Sequence, residues 1–141
     1  MLSQRARYAL RALVYLARRT GDGPAPIAEI ARESPAPHKF LEAILLDLKR
    51  HRLLVSARGR AGGYALARPA TAISYADVIR AIDGPLALAP CASRTAYSPC
   101  DTCPSVEACP IRGPLLEARD AVAATLERWT LEQAATQFLL N

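Results

Sequence analysis

The sequence predicts a mainly α-helical protein with a small β-hairpin wing, arranged as a winged helix-turn-helix domain plus a long C-terminal helix. Three observations lead there. Three apolar-periodic segments separated by Gly/Pro turns precede residue 54; two short alternating segments then flank the tip GRAGG; and positive charge is concentrated in the same half. Residues 1–70 carry 13 Lys+Arg against 5 Asp+Glu, whereas residues 71–141 carry 5 against 8. A basic N-terminal half suggests phosphate contacts, with a solvated charged surface as the alternative.

The first helix is expected over Ser3 to Arg19, with Tyr8, Leu10, Leu13, Val14 and Ala17 at helical spacing and Thr20-Gly21 as its stop. Pro26 can open a short second helix, IAEIARE, whose apolar face is Ile27, Ile30 and Ala31. SPAP forces a turn, and Pro37 opens HKFLEAILLDLKRHRL, with Leu41, Ile44, Leu45 and Leu48 as its buried stripe. Leu54 and Ser56, then Tyr64 and Leu66, alternate as two strands, and GRAGG supplies the positive dihedrals of their tip. In a winged helix-turn-helix the third helix enters the major groove and the hairpin is the wing.

Ser74 and Asp77 have capping-box spacing ahead of YADVIRAID, which Gly84-Pro85 ends. A Pro/Ser/Thr-rich segment follows and reads as an irregular loop. From Pro114 the pattern is helical again, with Leu115, Ala118, Val122, Leu126 and Trp129 near a/d spacing, which suits packing against another helix. Trp129 is expected in a core or an interface, His51 as a favourable charge at a helix C-terminus. Thr130 and Gln133 can cap a short terminal helix.

Candidate DNA contacts are His38, Lys39 and Glu42, from the first turn of the third helix. Lys39 can meet guanine or phosphate, Glu42 can accept from a cytosine amino group, and His38 can do either. Arg58 and Arg60 flank Gly59 in the wing, where Arg58 could enter a minor groove or both could bind phosphate. Arg5, Arg7 and Arg11 are candidate phosphate contacts from the first helix, Arg7 and Arg11 being equally able to form internal ion pairs.

All cysteines, Cys91, Cys100, Cys103 and Cys109, fall in one segment. A chain of 141 residues can bury a core without cross-links. Arginines interrupt the apolar start, so the protein is read as soluble and cytoplasmic, with no membrane partner. In a reducing cytosol, clustered thiols more often bind metal or do redox chemistry than form permanent disulfides. The C-x2-C pair Cys100/Cys103 allows two sulfurs to converge on one site, and four thiolates suit zinc or an iron-sulfur cluster. Zinc ribbons pair two such knuckles and only one is present, which leans against zinc. A thiol switch without metal stays open. No catalytic Ser/His/Asp or Cys/His set stands out, so the chain is not expected to be an enzyme.

RYALRALVYLA (7–17), the IAEIA helix, PHKFLEAILLDLK (37–49), SARGRAGGYALARP (56–69) and ADVIRAIDGPLAL (76–88), followed by cysteines before a long helix, resemble the IscR/NsrR-type (Rrf-type) winged-helix transcription regulators. The resemblance implies a homodimer paired through a long C-terminal dimerisation helix, binding double-stranded DNA at a palindromic operator. It also implies an iron-sulfur cluster, 2Fe-2S or 4Fe-4S, on the cysteine loop, sensing iron, nitric oxide or redox state; some members lack a cluster. On that pattern Cys91, Cys103 and Cys109 align and Cys100 is extra. Arg112 and Arg7 stand where some relatives place a non-cysteine ligand, which makes Cys100 the candidate fourth. Ala43 replaces a glutamine able to read adenine, and Arg52 replaces a glycine, which would shift the turn before the wing. The expected division is 1–84 for DNA binding, 85–113 for the cysteine-rich cluster-binding loop, and 114–141 for the dimerisation helix and tail. The function expected is a transcriptional regulator, with a repressor preferred to an activator though the sequence does not decide between them, whose operator affinity is set by the cluster. The alternatives are a zinc-binding or thiol-switch regulator, or an electron-transfer or thiol-redox protein using the same cysteines.

Overall fold

The computed structural model describes residues 1–19 and 21–137. Helix α1 spans Gln4–Arg18. The Ser3 hydroxyl caps it by accepting from the Ala6 amide at 3.0 Å, which satisfies one of the free donors of the first turn. Thr20, expected at its stop, lies outside the described residues. Helices α2 (Ile27–Glu33) and α3 (His38–Arg50) both begin directly after a proline. Pro26 and Pro37 occupy the cap itself, one position before that expected for Pro26, and bring no amide that would need a partner.

Helix α3 stops at Arg50, not at Leu53. The reason is a Schellman turn: the Leu53 amide donates to Leu48 O at 2.9 Å and the Arg52 amide to Lys49 O at 3.0 Å. Arg52 occupies the left-handed position of this turn, with φ 59°. The turn is therefore kept, and Arg52 carries the strain that a glycine would avoid. Leu48 and Leu53 are both buried beneath it.

Strands β1 (Leu54–Ala57) and β2 (Gly63–Leu66) pair antiparallel, in register Leu54 to Leu66 through Ala57 to Gly63. At the tip, Gly59 and Gly63 have positive φ and Gly62 does not. Gly63 also permits a close approach. Ala25, just before α2, exchanges backbone bonds with Tyr64 in both directions, at 2.8 and 2.9 Å, and a Cβ on Gly63 would overlap the Ala25 carbonyl. The wing is thus anchored to the chain between α1 and α2.

Helix α4 spans Tyr75–Asp83 and starts with the expected capping box between Ser74 and Asp77. Helix α5 spans Arg112–Arg128, two residues longer at its start than expected, and none of its 17 residues is buried. Thr130 and Gln133 exchange the expected capping bonds at the head of α6, Leu131–Gln137. This helix packs on α1, and Leu131 joins the core formed by Leu13, Ile30, Leu41, Ile44, Leu45, Leu48, Leu54, Ile73 and Val78. Each such side chain contributes about 1.5–3 kcal/mol when removed from water. Two further backbone bonds secure the return, Tyr75 N to Trp129 O and Leu131 N to Ile73 O, both 3.0 Å. Trp129 itself is 37% exposed, so it lies outside this core. Among the described residues, no helix is long and apolar enough to cross a membrane.

Candidate nucleic-acid interface and cysteine loop

The stripe Leu41, Ile44, Leu45 and Leu48 fixes the rotation of α3 against the core. Side chains between those positions must then face outward, and His38, Lys39, Glu42 and Ala43 are all exposed. His38 Nδ1 lies 3.6 Å from Glu42 Oε1, one turn away. Lys39 has no ion pair or hydrogen bond of its side chain among the described residues, and the same holds for Arg58, Arg60 and Arg7. These four exposed cations are free to meet phosphate or base edges.

Arg5 differs. It forms an ion pair with Asp47, which also takes Arg50 at 3.2 Å. Of the three arginines proposed on α1, Arg5 is therefore committed to holding α1 against α3, while Arg7 and Arg11 remain unpaired among the described residues. One tie was not foreseen: Lys49 Nζ donates to Ser56 Oγ at 2.7 Å, joining the last turn of α3 to the wing. Exposed Arg52 and Arg68, at the two ends of the hairpin, add positive charge that the sequence reading left unassigned.

The cysteine loop starts from a 3-10 turn, Pro90–Ala92. It folds back on itself through Ser93 N and Ser98 N, which donate to Pro90 O at 3.1 and 3.4 Å. This brings the Cys100 thiol to the Cys91 sulfur at 3.7 Å. Cys91 is 5% exposed, whereas Cys100, Cys103 and Cys109 are half-buried. Burial chiefly pushes the Cys91 thiol pKa up, helped by the hydrogen bond from Cys100 and by its charge; the Arg112 guanidinium opposes this, and Cys109 adds to it.

Two arginines of α5 hold the turn. Arg112 Nε donates to Cys91 O at 3.4 Å and Arg119 donates to Ala92 O at 2.7 Å. Arg119 also meets Asp120 at 2.7 Å, and Asp120 meets Arg94 of the loop at 2.8 Å. The hydrogen bond from Arg119 holds the Asp120 carboxyl below its ordinary pKa, with Arg94 contributing.

The thiols therefore come together differently from the spacing argument. Cys100 meets Cys91, while Cys100 and Cys103 bracket a turn closed by Cys103 N to Cys100 O at 3.0 Å. Two thiolates on one tetrahedral metal with bonds of about 2.3 Å stand about 3.8 Å apart, so the Cys91–Cys100 spacing suits one edge of such a site. Among the described residues, no three His, Cys, Asp or Glu side chains converge. The donor chemistry fits a thiolate-bound metal, and Cys103 and Cys109 must close on the pair to complete it.

Residues 2–137 match the profile of a family described as Rrf2, iron-dependent transcriptional regulator. The chain is 43% identical over 135 residues to an rrf2-like HTH-type transcriptional regulator of Rhodobacter capsulatus, covering 94% of this chain and 90% of that one. It is 38% identical over 82 residues to the HTH-type transcriptional regulator IscR of Sodalis glossinidius, covering 58% of this chain and 50% of that one. Among solved structures it is similar to CymR, the global cysteine regulator of B. subtilis, with a TM-score of 0.77, 28% identity and 97% of each chain covered.

Proposed function

The chain belongs to the Rrf2 family of transcriptional regulators, and from that premise we propose that it binds a palindromic operator as a homodimer, with an affinity set by the state of its cysteine loop. Lys39, Glu42 and His38 would read the major groove, Arg58 and Arg60 would bind at the wing, and Arg7 would take a phosphate. Within this reading residues 1–84 bind DNA, 85–113 sense, and α5 pairs two copies. Its half-exposed Ala118 and Leu126 and its exposed Val122 leave an apolar strip, continuous with exposed Met1 and Leu2, that a second copy would cover. Two recognition helices so paired address half-sites about 34 Å apart.

The observation that carries the proposal is the direct tie between the loop and α5, through Arg112 and Arg119. We assign an iron-sulfur cluster to Cys91, Cys100, Cys103 and Cys109, on the family's iron dependence and on thiolates as the usual ligands of such clusters. Bound there, a cluster would supply iron–thiolate bonds that iron shortage, oxidants or nitric oxide can break. This chain's residues do the rest: the backbone of Cys91 and Ala92 fixes Arg112 and Arg119, and these fix the angle of α5. Zinc on the same thiolates, or thiols alone, would act through the same tie. The Cys91–Cys100 contact favours the thiol reading as the second one. Iron, acid-labile sulfide and zinc analysis of protein purified without oxygen tests the assignment, followed by operator binding before and after metal removal. Zinc alone, or no metal, would overturn the cluster; equal affinity in both states would overturn the control.

A further inference from the structure

We propose that Cys91 and Cys100 are a disulfide-forming pair whose oxidation is passed to α5 through Arg112 and Arg119. The proposal deepens the reading of the cysteine loop as the sensing element and rests on it only for the effect on DNA.

The pair is set by the backbone. Both Ser93 N and Ser98 N donate to Pro90 O, and this fold-back leaves the two sulfurs 3.7 Å apart. A disulfide bond is about 2.05 Å long, so closure needs about 1.7 Å of approach. That is within reach of an irregular loop. Cys109 lies near enough for its charge to raise the Cys91 pKa, but among the described residues only the Cys100 thiol is hydrogen-bonded to the Cys91 sulfur.

The two sulfurs differ in access. Cys91 is 5% exposed and Cys100 is half-buried, so an oxidant reaches Cys100 first. With a hydroperoxide, the Cys100 sulfur attacks one oxygen and the O–O bond breaks. Cys100 becomes a sulfenic acid, and water or an alcohol leaves. The Cys91 sulfur then attacks the Cys100 sulfur. The S–S bond forms, the S–O bond breaks, and hydroxide leaves as water with the Cys91 proton. Two thiols have lost two electrons and two protons, and the peroxide has been reduced. The disulfide uses two of the four candidate ligands, so it forms in metal-free protein.

The output is the pair of arginines. Arg112 and Arg119 lie two turns apart on one face of α5 and hold the carbonyls of Cys91 and of the next residue, Ala92. Arg119 is 13% exposed, so it has little freedom to follow a moving turn without moving its helix. Drawing Cys91 towards Cys100 displaces the peptide that both arginines hold.

The chain provides its own test. Trypsin cleaves after Arg94, separating a peptide carrying Cys91 (residues 81–94) from one carrying Cys100, Cys103 and Cys109 (residues 95–112). Metal-free protein is treated with hydrogen peroxide, blocked with a thiol reagent, digested and weighed. The two peptides should remain joined in the wild type, in Cys103→Ser and in Cys109→Ser, and separate in Cys100→Ser, with circular dichroism confirming that each variant is folded. A link that survives Cys100→Ser, or one confined to peptide 95–112, overturns the pairing. For the relay, oxidation should change operator affinity by roughly 5- to 150-fold in the wild type. In Arg119→Gln the disulfide should still form while that change shrinks. An undiminished change in both Arg119→Gln and Arg112→Gln overturns the relay. Protein that binds no DNA in either redox state would count against the function proposed above, because the linkage is read on the chain itself.

Discussion

Gly63→Ala tests how the wing is held. Gly63 has φ 149°, and a Cβ there would lie 2.7 Å from Pro26 N and closer still to the Ala25 carbonyl. The methyl group cannot be accommodated while Ala25 and Tyr64 keep their two backbone bonds of 2.8 and 2.9 Å. Losing both costs about 1 kcal/mol each, and holding alanine at positive φ costs about 1–2 kcal/mol more. Alanine returns about 0.5–1 kcal/mol through its smaller unfolded-state entropy. The expected net loss is about 2–3 kcal/mol, measured by urea unfolding followed by circular dichroism. It should appear as a midpoint shift without a change in slope, and as a fall in Tm of about 10 °C for a domain of this size. The wing would separate from the α1–α2 connection, so DNA affinity should fall in the fraction that remains folded. A loss below about 1 kcal/mol would refute the reasoning, because the strand would then have yielded without releasing Ala25.

Three further outcomes are expected. Arg52→Gly should stabilise the protein by about 1 kcal/mol in the same assay, since it relieves a left-handed φ of 59°; a destabilised variant would mean that the arginine side chain contributes more than its backbone strain removes. On an operator selected from random fragments, Lys39→Ala or Glu42→Ala should change base preference. Arg7→Ala should weaken all sequences alike and reduce the salt slope by about 1; uniform effects from all three would remove α3 from the groove. Asp120 has a lowered pKa in the folded state. It therefore contributes stability above its unfolded value that is lost as pH falls through the depressed folded one, and Asp120→Asn should flatten the acid side of a stability profile. An unchanged acid limb would mean that the Arg119 and Arg94 contacts are not retained in solution.

Much of the fold was legible because its signals are local. Ser74 with Asp77 and Thr130 with Gln133 cap the helices they precede, and Pro26 and Pro37 mark two more starts, whereas Ser3, expected as the first helical residue, turns out to be the cap of α1. The end of α3 was misjudged because glycine usually marks a Schellman turn and here an arginine fills it. What stayed hidden depends on long-range placement. Arg5 finds Asp47 and Lys49 finds Ser56 only once helices and hairpin are packed. The a/d spacing on α5 was visible, yet nothing local indicated that α6 returns to α1. In the cysteine loop, spacing pointed to Cys100 with Cys103, and the path of the backbone joined Cys100 to Cys91 instead. The tie of Arg119 to the loop carried no signal, since its partner there is the carbonyl of Ala92.

The return of α6 makes the segment between Ser74 and Thr130 an inserted span rather than a trailing arm. Its two ends are stitched to each other, by Ser74 bridging Thr130 and by Tyr75 N bonding Trp129 O. A span pinned at both ends cannot relieve a shortened loop by swinging free, as an arm with one loose end would. Slack removed on the cysteine side has to reappear as rotation of the long helix about two fixed anchors. Those anchors belong to α4 and α6, which pack on α1 in the same core as α3.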